Sequence, residues 1–262
     1  MKIYLAGFKS LAGKITNEAH NDVHLLSSFF EHKNGKYGDY VEQEKHRLDL
    51  IFFPILDSGA FSAINDKTGK FKNFDWDKYL DKYIEFIKKT QQKLFFELDI
   101  DCVVGLKKVE YYRKKLEDAI GIAPIICWHP TRGKEYWIKS CEEYSYVALG
   151  TTTATNMGKK IRSNPAVLKW FIDHAHKNNA KIHGLGFTEM NWLDRLNFDS
   201  VDSTTWLNGG KFGEYQWFNG KIIKKRNAIG LGKKVRKDKS MELLIHNFNE
   251  WHKFQKYAEI NL

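Results

Sequence analysis

Short runs of hydrophobic residues recur along the chain, separated by longer stretches that mix polar and apolar positions. In chain order, seven of these runs read KIYLAGF, LIFFPIL, KLFFELDID, APIICWH, YSYVALG, AKIHGLGF and FDSVDST. Such short, nearly continuous hydrophobic runs are typical of strands that are buried on both faces of a parallel sheet. We therefore predict an α/β fold built on parallel strands.

The stretches between these runs carry helical patterns. Residues 73–93 predict an amphipathic helix with lysines on one side and an apolar stripe on the other, formed by Leu80, Tyr83, Ile84 and Ile87. Residues 163–180 predict a second helix, with Ser163 or Asn164 as its N-cap and Pro165 in its first turn. Residues 240–258 predict a closing C-terminal helix.

The number and order of these elements favour a TIM-like (β/α)8 barrel that occupies residues 1–262 as a single domain. A barrel of this kind typically uses about 250 residues. An open doubly wound sheet typically has a glycine-rich dinucleotide-binding loop after its first strand, and this sequence has none there. The eighth strand is not evident. We place it in an irregular, basic region, residues 207–240, where residues 214–227 read as a hairpin around Asn219 and Gly220.

Composition narrows the functional classes. The formal net charge of +10 favours polyanionic partners such as nucleic acids. No hydrophobic run approaches the roughly 18 residues that a transmembrane helix needs, and the N-terminus lacks a signal-peptide pattern, so we expect a cytoplasmic protein without membrane contact. Cys102, Cys127 and Cys141 show neither disulfide nor metal-binding spacing, and we expect reduced, structural cysteines and no metal.

Acidic residues occur where three of the predicted strands end. Asp57 follows one run and precedes Ser-Gly. Strict alternation of the run KLFFELDID gives two faces, one with Phe96, Leu98 and Ile100 and the other with Glu97, Asp99 and Asp101. In LNFDSVDSTTW, residues 196–206, alternation puts Asp202 on one face with Ser200 and Phe198, and Asp199 on the other face with Val201. Asp202 is the aspartate closer to the strand end.

Acids at these positions are candidates for a site, because catalytic groups of parallel barrels project from the carboxyl ends of the strands. A single such aspartate is more often structural: Asp57 before Ser-Gly is compatible with an Asx turn, and Asp202 before Ser-Thr-Thr with a helix cap. Three strand-end acids in one chain favour a shared site instead. Two carboxylates beside a pocket suit glycosidic chemistry, in which one attacks the anomeric carbon and another moves protons.

Five segments resemble the tRNA-guanine transglycosylase family, in the same order, over residues 50–206. DSGAF, residues 57–61, resembles that family's DSGGF signature, and FDSVDS, residues 198–203, resembles its strand ending VDMFDCV, whose last aspartate is the nucleophile. LDID at 98–101 is similar to an archaeal-type LDIPT segment, YVALGTT at 146–152 to a glycine-rich strand end, and GLG at 184–186 to a GVGTPED turn. The first two matches are the specific ones.

The resemblance implies a role for each matched residue, with no cofactor. Asp202 would be the nucleophile and Asp57 the general base, while Asp99, helped by Asp101, would read the N1 and N2 edge of guanine. Further contacts to the base would come from Ser58, Gly59, Phe61 and the backbone of Leu149 and Gly150. Trp128 and His129 end another predicted strand and are candidates to line the same pocket. For Trp128, core packing is an equally open alternative, and for His129 a turn hydrogen bond before Pro130.

The sequence also departs from the family. That family's zinc site, formed by three cysteines and a histidine, has no counterpart, because no cysteine follows Cys141. STTW replaces the family's Pro-Thr-Arg stretch after the nucleophile, and the chain is shorter. The pattern is most similar to short, phage-encoded relatives that replace guanine in DNA by a 7-deazaguanine. The resemblance thus implies DNA and a free 7-deazaguanine base as substrates, in the host cytoplasm, with the target base flipped out of the duplex.

Three other functions fit the same residues: exchange of guanine in tRNA, deoxyribosyl transfer or hydrolysis on free nucleosides, and nucleic-acid binding by a barrel without catalysis. Residues 230–239, GLGKKVRKDK, contain a GxGK piece but lack the preceding strand and the spacing of a phosphate loop. A solvated basic loop is the commoner explanation for such a run.

Overall fold

The computed structural model describes residues 1–7, 23–32, 55–64, 74–151, 155–227 and 237–262. Seven strands form one sheet: β1 (Lys2–Ala6), β2 (Leu25–Ser28), β3 (Ile55–Asp57), β4 (Ile126–Trp128), β5 (Tyr146–Gly150), β6 (Lys181–Leu185) and β7 (Ser200–Ser203). A separate hairpin consists of β8 (Glu214–Phe218) and β9 (Ile223–Asn227).

The α-helices cover Phe29–His32, Ala60–Ile64, Trp76–Thr90, Asp101–Val104, Leu106–Ile120, Gly133–Glu143, Asn156–Arg162, Pro165–Lys177, Asn208–Phe212 and Lys237–Asn261. Short 3-10 helices cover Pro130–Arg132, Leu193–Arg195 and Thr205–Leu207.

The seven strands are all parallel and lie in the order β3-β2-β1-β7-β6-β5-β4, and the sheet curls into a half-barrel. The predicted α/β fold with a parallel sheet is therefore confirmed. The chain starts in the middle of this sheet, because β1 lies between β2 and β7, and Tyr4 is in register with Asp202. The first strand thus supports the strand that carries one of the candidate catalytic acids.

The segment 94–97 bonds to both edges of this sheet. On the β3 side, the Leu56 amide donates to the Leu94 carbonyl and the Phe96 amide donates to the Leu56 carbonyl, both at 2.9 Å. On the β4 side, the Ile125 amide donates to the Phe95 carbonyl at 2.8 Å. These contacts form two isolated parallel bridges. The run KLFFELDID therefore occupies a strand position, but only its first half is extended.

The eighth strand is not where the sequence placed it. The hairpin around Asn219 and Gly220 forms as predicted, but β8 and β9 pair only with each other and add nothing to the parallel sheet. The strand that the sequence analysis missed is β2, which has two apolar residues, Leu25 and Leu26, followed by two serines. So short a segment gives no periodic hydrophobic signal.

The predicted helices form, and their caps explain where they begin. All four residues of the predicted stripe in Trp76–Thr90 are buried, and Asp75 caps this helix by accepting a hydrogen bond from the Lys78 amide. Asn164, not Ser163, caps Pro165–Lys177, because its side chain accepts from the amides of Ala166 and Val167. The closing helix is longer than predicted and runs over Lys237–Asn261.

Buried apolar side chains separate an inner from an outer layer. The inner cluster, on the concave face of the sheet, comprises Tyr4, Ala6, Leu26, Ile55, Phe96, Ile125, Cys127 and Ala148. Two larger clusters lie between the sheet and the helices, and they include Trp128, Leu149, Phe198 and Val201 in one and Phe95, Leu98 and Ile100 in the other. Polar side chains on the inner face are therefore surrounded by other strands rather than by helices.

Candidate active site

The candidate residues collect at the carboxyl ends of the parallel strands. Asp57 is the last residue of β3, Gly150 is the last residue of β5, and Asp202 is the third residue of β7. His129 directly follows β4, and Asp99 follows the segment 94–97. Parallel strands of one sheet end on the same side, which is where α/β barrels place their active sites. The acids that the sequence predicted at strand ends therefore lie on the same side of the sheet, where the strands end.

Asp202 is 8 % exposed and is held through one oxygen. The Gly186 amide donates to Asp202 Oδ1 at 2.6 Å, and His183 Nε2 lies 3.2 Å from the same oxygen. Within the described part of the chain, both hydrogen bonds of this carboxyl go to Oδ1, and Oδ2 accepts none. The GLG turn predicted at residues 184–186 thus supplies a backbone donor to the candidate nucleophile.

Behind Asp202, a chain of hydrogen bonds crosses the inner face of the sheet. Ser200 Oγ lies 2.6 Å from His183 Nδ1 and 2.6 Å from the Tyr146 hydroxyl. His183 is fully buried, and its ring packs near the rings of Tyr4 and Phe96. When Asp202 is ionised it can only accept, so His183 Nε2 carries a proton and a neutral ring accepts from Ser200 at Nδ1. The Tyr146 hydroxyl then donates to Ser200.

Asp57 has the surroundings of a proton carrier. Its Oδ2 accepts from the Gly59 amide at 3.0 Å and from Ser28 Oγ at 3.3 Å. Burial raises the pKa of Asp57 to about 7, and the negative charges of Asp99 and Asp202 act in the same direction, against the two hydrogen bonds. A carboxyl with a pKa near neutrality can both donate and accept a proton under physiological conditions.

The DSG segment owes its shape to Gly59. This residue has φ of +73°, and a Cβ added to it would lie 2.4 Å from Phe30 Cβ and 2.6 Å from the Phe30 backbone nitrogen. No other residue fits there without displacing the chain. Gly59 therefore donates its amide to Asp57, and its contact with the base stays a prediction.

Ser58 and Phe61 complete the DSGAF segment. Ser58 is fully buried, its Oγ lies 3.4 Å from the Ala60 amide, and its carbonyl accepts from the Tyr79 hydroxyl at 2.7 Å. These contacts hold the turn in place. Phe61 belongs to the helix Ala60–Ile64, and its side chain, predicted to stack on the base, lies outside the described residues.

Asp99 and His129 form a pair at the mouth of the site, which here means the carboxyl ends of the strands. His129 Nε2 lies 3.1 Å from Asp99 Oδ2, and both side chains are partly exposed. Gly150 makes room for the imidazole, because a Cβ at that position would lie 2.6 Å from His129 Nδ1. The structure thus brings together three of the predicted substrate-binding residues. The His129 side chain has a carboxylate partner, and the His129 carbonyl also accepts a turn hydrogen bond from the Arg132 amide at 2.9 Å.

Asp101 and Glu97 lie apart from Asp99, so strict alternation fails in this run. Arg132 donates from Nη2 to Asp101 Oδ1 at 2.7 Å and from Nη1 to Glu97 Oε1 at 2.6 Å. Burial opposes ionisation of Asp101, but the hydrogen bonds and charge of Arg132 bring its pKa below the usual value. The chain turns at Ile100, whose amide donates to the Leu98 carbonyl, and a helix begins at Asp101.

Trp128 and Leu149 face the outer layer rather than the mouth. The Trp128 ring packs against Trp137 and Phe171, and its Nε1 donates to the Gly133 carbonyl at 2.7 Å. Core packing is therefore its role, since neighbouring residues of a strand point to opposite faces and His129 takes the mouth side. The Leu149 side chain is also buried in the outer core, which is compatible with the predicted use of its backbone.

The two aspartates of LNFDSVDSTTW lie in different surroundings. Asp199 lies before β7, accepts from the Ile182 amide at 2.8 Å and contacts His176 Nε2 at 3.0 Å. Asp202 faces inward beside Ser200 and His183. Alternation separated the two aspartates correctly, although Phe198 packs in the outer core and does not share the face of Asp202.

Sequence reasoning missed His183, Ser28 and the arginines Arg113 and Arg132. A signal existed for His183. In AKIHGLGF it is two residues before Leu185, so alternation places both side chains on the same face of the strand. Ser28 belongs to the strand that was missed. The buried arginines gave no local signal, because their partners are distant in sequence.

The three cysteines are unpaired. Among the residues that the structure describes, no group of three or more histidine, cysteine, aspartate or glutamate side chains is arranged to hold a metal ion. In the same part of the chain, no helix combines the length and the hydrophobicity needed to cross a bilayer.

No protein-family model matches the chain, and neither a curated protein nor a solved structure is significantly similar to it. The resemblance to transglycosylases therefore depends on the short motifs and on the geometry of the residues they contain.

Proposed function

We propose that this protein is a pentosyltransferase that exchanges guanine in DNA for a 7-deazaguanine through a covalent intermediate on Asp202. One observation carries the proposal: Asp57 ends β3 and Asp202 lies near the end of β7, so both carboxyls lie at the carboxyl ends of strands in one curled parallel sheet. Burial, the charge of Asp99 and, to a smaller extent, that of Asp202 raise the pKa of Asp57 to about 7, as expected for carboxyls that share a site. A nucleophilic carboxylate beside an acid that carries a proton is the arrangement that retaining glycosyl transfer requires.

In the first step, Asp202 Oδ2 attacks C1′ of the target nucleotide. A C1′–O bond forms, the C1′–N9 bond breaks, and its electron pair leaves with guanine. Protonated Asp57 supplies the proton that neutralises the departing base, and the Gly186 amide with His183 keeps Oδ1 in place.

In the second step, the incoming 7-deazaguanine attacks C1′ through N9. Asp57, now ionised, takes the N9 proton, the ester C1′–O bond breaks, and Asp202 regains its charge. For exchange of guanine by guanine, the second step is the reverse of the first, so the same residue must act as acid in one direction and base in the other. Two displacements at C1′ give retention of configuration.

Asp99 supplies specificity in this proposal. Its carboxylate would accept hydrogen bonds from N1–H and the N2 amino group of guanine, which adenine and pyrimidines do not present together. His129 fixes the orientation of Asp99. Asp101 would act on the base only indirectly, since Arg132 already occupies one of its oxygens.

The choice of DNA as substrate is supported by the net charge of +10 and by the lack of the cysteines that form the family's zinc site. Host cytoplasm is the place where such a phage-type enzyme would act.

We also propose that the segment 94–97 completes a closed (β/α)8 barrel as its eighth strand. Its hydrogen bonds to Leu56 and to Ile125 support closure, because they link the two edges of the seven-stranded sheet. Slow hydrogen exchange at the amides of Leu56, Phe96 and Ile125 would support a closed barrel, and fast exchange at all three would contradict it.

The decisive experiment incubates purified protein with labelled guanine and, separately, duplex DNA, single-stranded DNA, tRNA or deoxyguanosine. We expect label in DNA and a denaturant-stable protein–DNA adduct, both lost in Asp202→Asn. Asp199→Asn is the matched control and should retain both, because Asp199 lies outside the site.

Each alternative function gives a different result in this experiment. Label in tRNA alone would contradict DNA as substrate, and turnover of deoxyguanosine alone would indicate a nucleoside enzyme. Binding of DNA without label or adduct, and unchanged by Asp202→Asn, would indicate a binding protein without catalysis.

A further inference from the structure

The hairpin of β8 and β9 presents a face built of aromatic and cationic side chains. In its antiparallel register, Tyr215 lies opposite Arg226 and Trp217 lies opposite Lys224. Residues directly opposite each other point to the same side of a two-stranded sheet, and so do residues two apart on one strand. These four side chains therefore share one side, and we call them the hairpin face.

The other side of the hairpin is fixed to the C-terminal helix. Gln216 is fully buried, its amide donates to Asn247 Oδ1 at 3.0 Å, and its side-chain Oε1 accepts from Trp251 Nε1 at 2.5 Å. Phe218 packs on Phe254. Trp217, Lys224 and Arg226 are consequently turned away from this helix, with both cations exposed and the Trp217 ring partly exposed. Tyr215, which is also partly exposed, stacks on His246 of the helix.

The side chains of the hairpin face lie close together. The Arg226 guanidinium carbon is 5.2 Å from the centre of the Tyr215 ring and 5.9 Å from that of the Trp217 ring. The two ring centres are 6.0 Å apart. Tyr215 is also stacked on His246 at 4.3 Å, which limits its motion. The two rings and the Arg226 guanidinium therefore form one contiguous platform.

The positive charge of this platform is not neutralised by the described residues around it. Of the hairpin lysines, Lys225 pairs with Glu214 and Lys221 pairs with Asp194. Within the described part of the chain, neither Lys224 nor Arg226 has a carboxylate within salt-bridge distance. Exposed aromatic rings with unpaired cations complement a ligand that offers flat apolar surfaces and negative charges at regular intervals.

The platform is tied to the strand that carries Asp202. The Gln216 side chain donates to the Thr205 carbonyl at 2.9 Å, and Thr205 is three residues after Asp202 in the chain. The Asn247 side chain bridges the carbonyls of Trp206 and Glu214. The hairpin face therefore keeps a fixed position relative to the candidate nucleophile.

We propose that the hairpin face binds single-stranded DNA, with a base stacked on Trp217 beside the Tyr215 ring and phosphates paired with Lys224 and Arg226. Stacking on aromatic rings and contacts from Arg and Lys to the backbone are the usual means of binding unpaired strands without sequence preference. Duplex DNA hides its base faces, so it cannot use the rings. The choice of DNA over RNA rests on the proposed function.

The test measures binding of fluorescent oligonucleotides by anisotropy, in the absence of any free base. The probes are a single-stranded DNA, its duplex and an RNA of the same sequence. We expect Trp217→Ala to weaken binding of single-stranded DNA about tenfold or more. The double variant Lys224→Ala/Arg226→Ala should also weaken it and reduce the salt dependence, log Kd against log salt concentration, by roughly 1.4.

The matched control removes two positive charges elsewhere. Lys88→Ala/Lys89→Ala has the same net charge as the double variant, and both lysines are exposed at the end of Trp76–Thr90. It should bind DNA as the parent does. An unchanged melting temperature for each variant shows that a loss of binding does not come from unfolding.

The outcomes separate this inference from the proposed function. Parent-like binding by both hairpin variants, or weakening to the same degree in the lysine control, would overturn the inference even if base exchange occurs. Preference for RNA over DNA would overturn the choice of DNA. Binding through the hairpin without any base exchange would uphold the inference and contradict the proposed reaction.

Discussion

His183 Nε2 lies 3.2 Å from Asp202 Oδ1, and this contact links the candidate nucleophile to the interior of the sheet. The other ring nitrogen is 2.6 Å from Ser200 Oγ, which in turn lies 2.6 Å from the Tyr146 hydroxyl. Because an ionised Asp202 carboxylate can only accept, each hydrogen bond in this chain has a defined donor and acceptor. In the proposed reaction, His183 is therefore a positioning residue that holds Asp202 through Oδ1 and leaves Oδ2 for the substrate.

We expect His183→Leu to slow formation of the Asp202 adduct about tenfold or more, because a donor to the reacting carboxylate is lost. The apparent affinity for DNA should be unchanged, since His183 is buried and does not reach the substrate. Single-turnover adduct formation and DNA titration measure the two effects separately.

The control for this change is His176→Leu. His176 also contacts an aspartate, Asp199, at 3.0 Å, but outside the site, so its loss should leave the rate unchanged. A parent-like rate in His183→Leu, or an equal loss in His176→Leu, would contradict the role of His183.

The pH dependence of the two half-reactions should differ. Free protein needs protonated Asp57, whose pKa is about 7, so kcat/KM for DNA should fall as pH rises through 7. In the adduct, Asp202 is an ester and has lost the charge that helps to raise the pKa of Asp57. The kcat/KM for the free base should therefore rise with pH over a lower range. Identical profiles for both substrates would contradict this use of Asp57.

Asp57 should also affect stability in a direction fixed by its raised pKa. Between its unfolded value near 4 and about 7, the folded state binds more protons than the unfolded state, so the free energy of unfolding falls as pH rises. Asp57→Asn removes this loss and should be more stable than the parent at pH 8, by an amount on the order of a few kcal/mol. Urea unfolding at pH 5 and pH 8 should show a smaller difference at pH 5.

Asp99 and Asp101 should have separable effects. Asp99→Asn should reduce base exchange by roughly 10-fold or more and weaken discrimination against adenine, because an amide cannot accept two hydrogen bonds through a charged group as a carboxylate does. Asp101→Asn should lower the free energy of unfolding, because Asp101 pairs with Arg132, and should leave discrimination between guanine and adenine nearly unchanged. Competition between labelled guanine and adenine measures specificity, and equal losses in both variants would contradict this division.

The sequence predicted those parts of the fold that depend on local pattern. Hydrophobic runs and caps identified six of the seven sheet strands and the helices at residues 76–90 and 165–177, and alternation separated Asp202 from Asp199. Prediction from local pattern failed where the structure of a segment depends on residues that are distant in sequence. The strand β2 is too short to show a period, and the run after Glu97 turns at Ile100 because Arg132 draws Glu97 and Asp101 together.

The site shows the same division between local and distant signals. Asp57, Asp99 and Asp202 could be identified at strand ends from the sequence. The contact of His183 with Ser200 depends on the register of β6 against β7, which no single segment encodes. Trp128 packs in the outer core because its side chain takes the outer face of β4. Composition alone does not determine which face of a strand a residue takes.

The Glu97 side chain is 1 % exposed and stands between two arginines behind the site. Arg113 and Arg132 lie 2.7 and 2.6 Å from its oxygens, and the Cys127 amide donates to Oε1 at 3.0 Å. Removing one partner of a buried ion pair leaves an uncompensated charge and typically costs about 3–5 kcal/mol. We expect Glu97→Gln, which has nearly the same shape, to lower the free energy of unfolding in urea by about this amount.

The control for Glu97 is Asp118→Asn, which breaks the exposed pair of Lys114 and Asp118. Exposed pairs contribute roughly 0–1 kcal/mol, so this variant should be almost as stable as the parent. Because Arg132 also binds Asp101 and so fixes the turn that follows Asp99, Glu97→Gln should raise the KM for the free base as well. A loss of stability no greater than that of Asp118→Asn would mean that the buried network does not hold the strand ends of the site together.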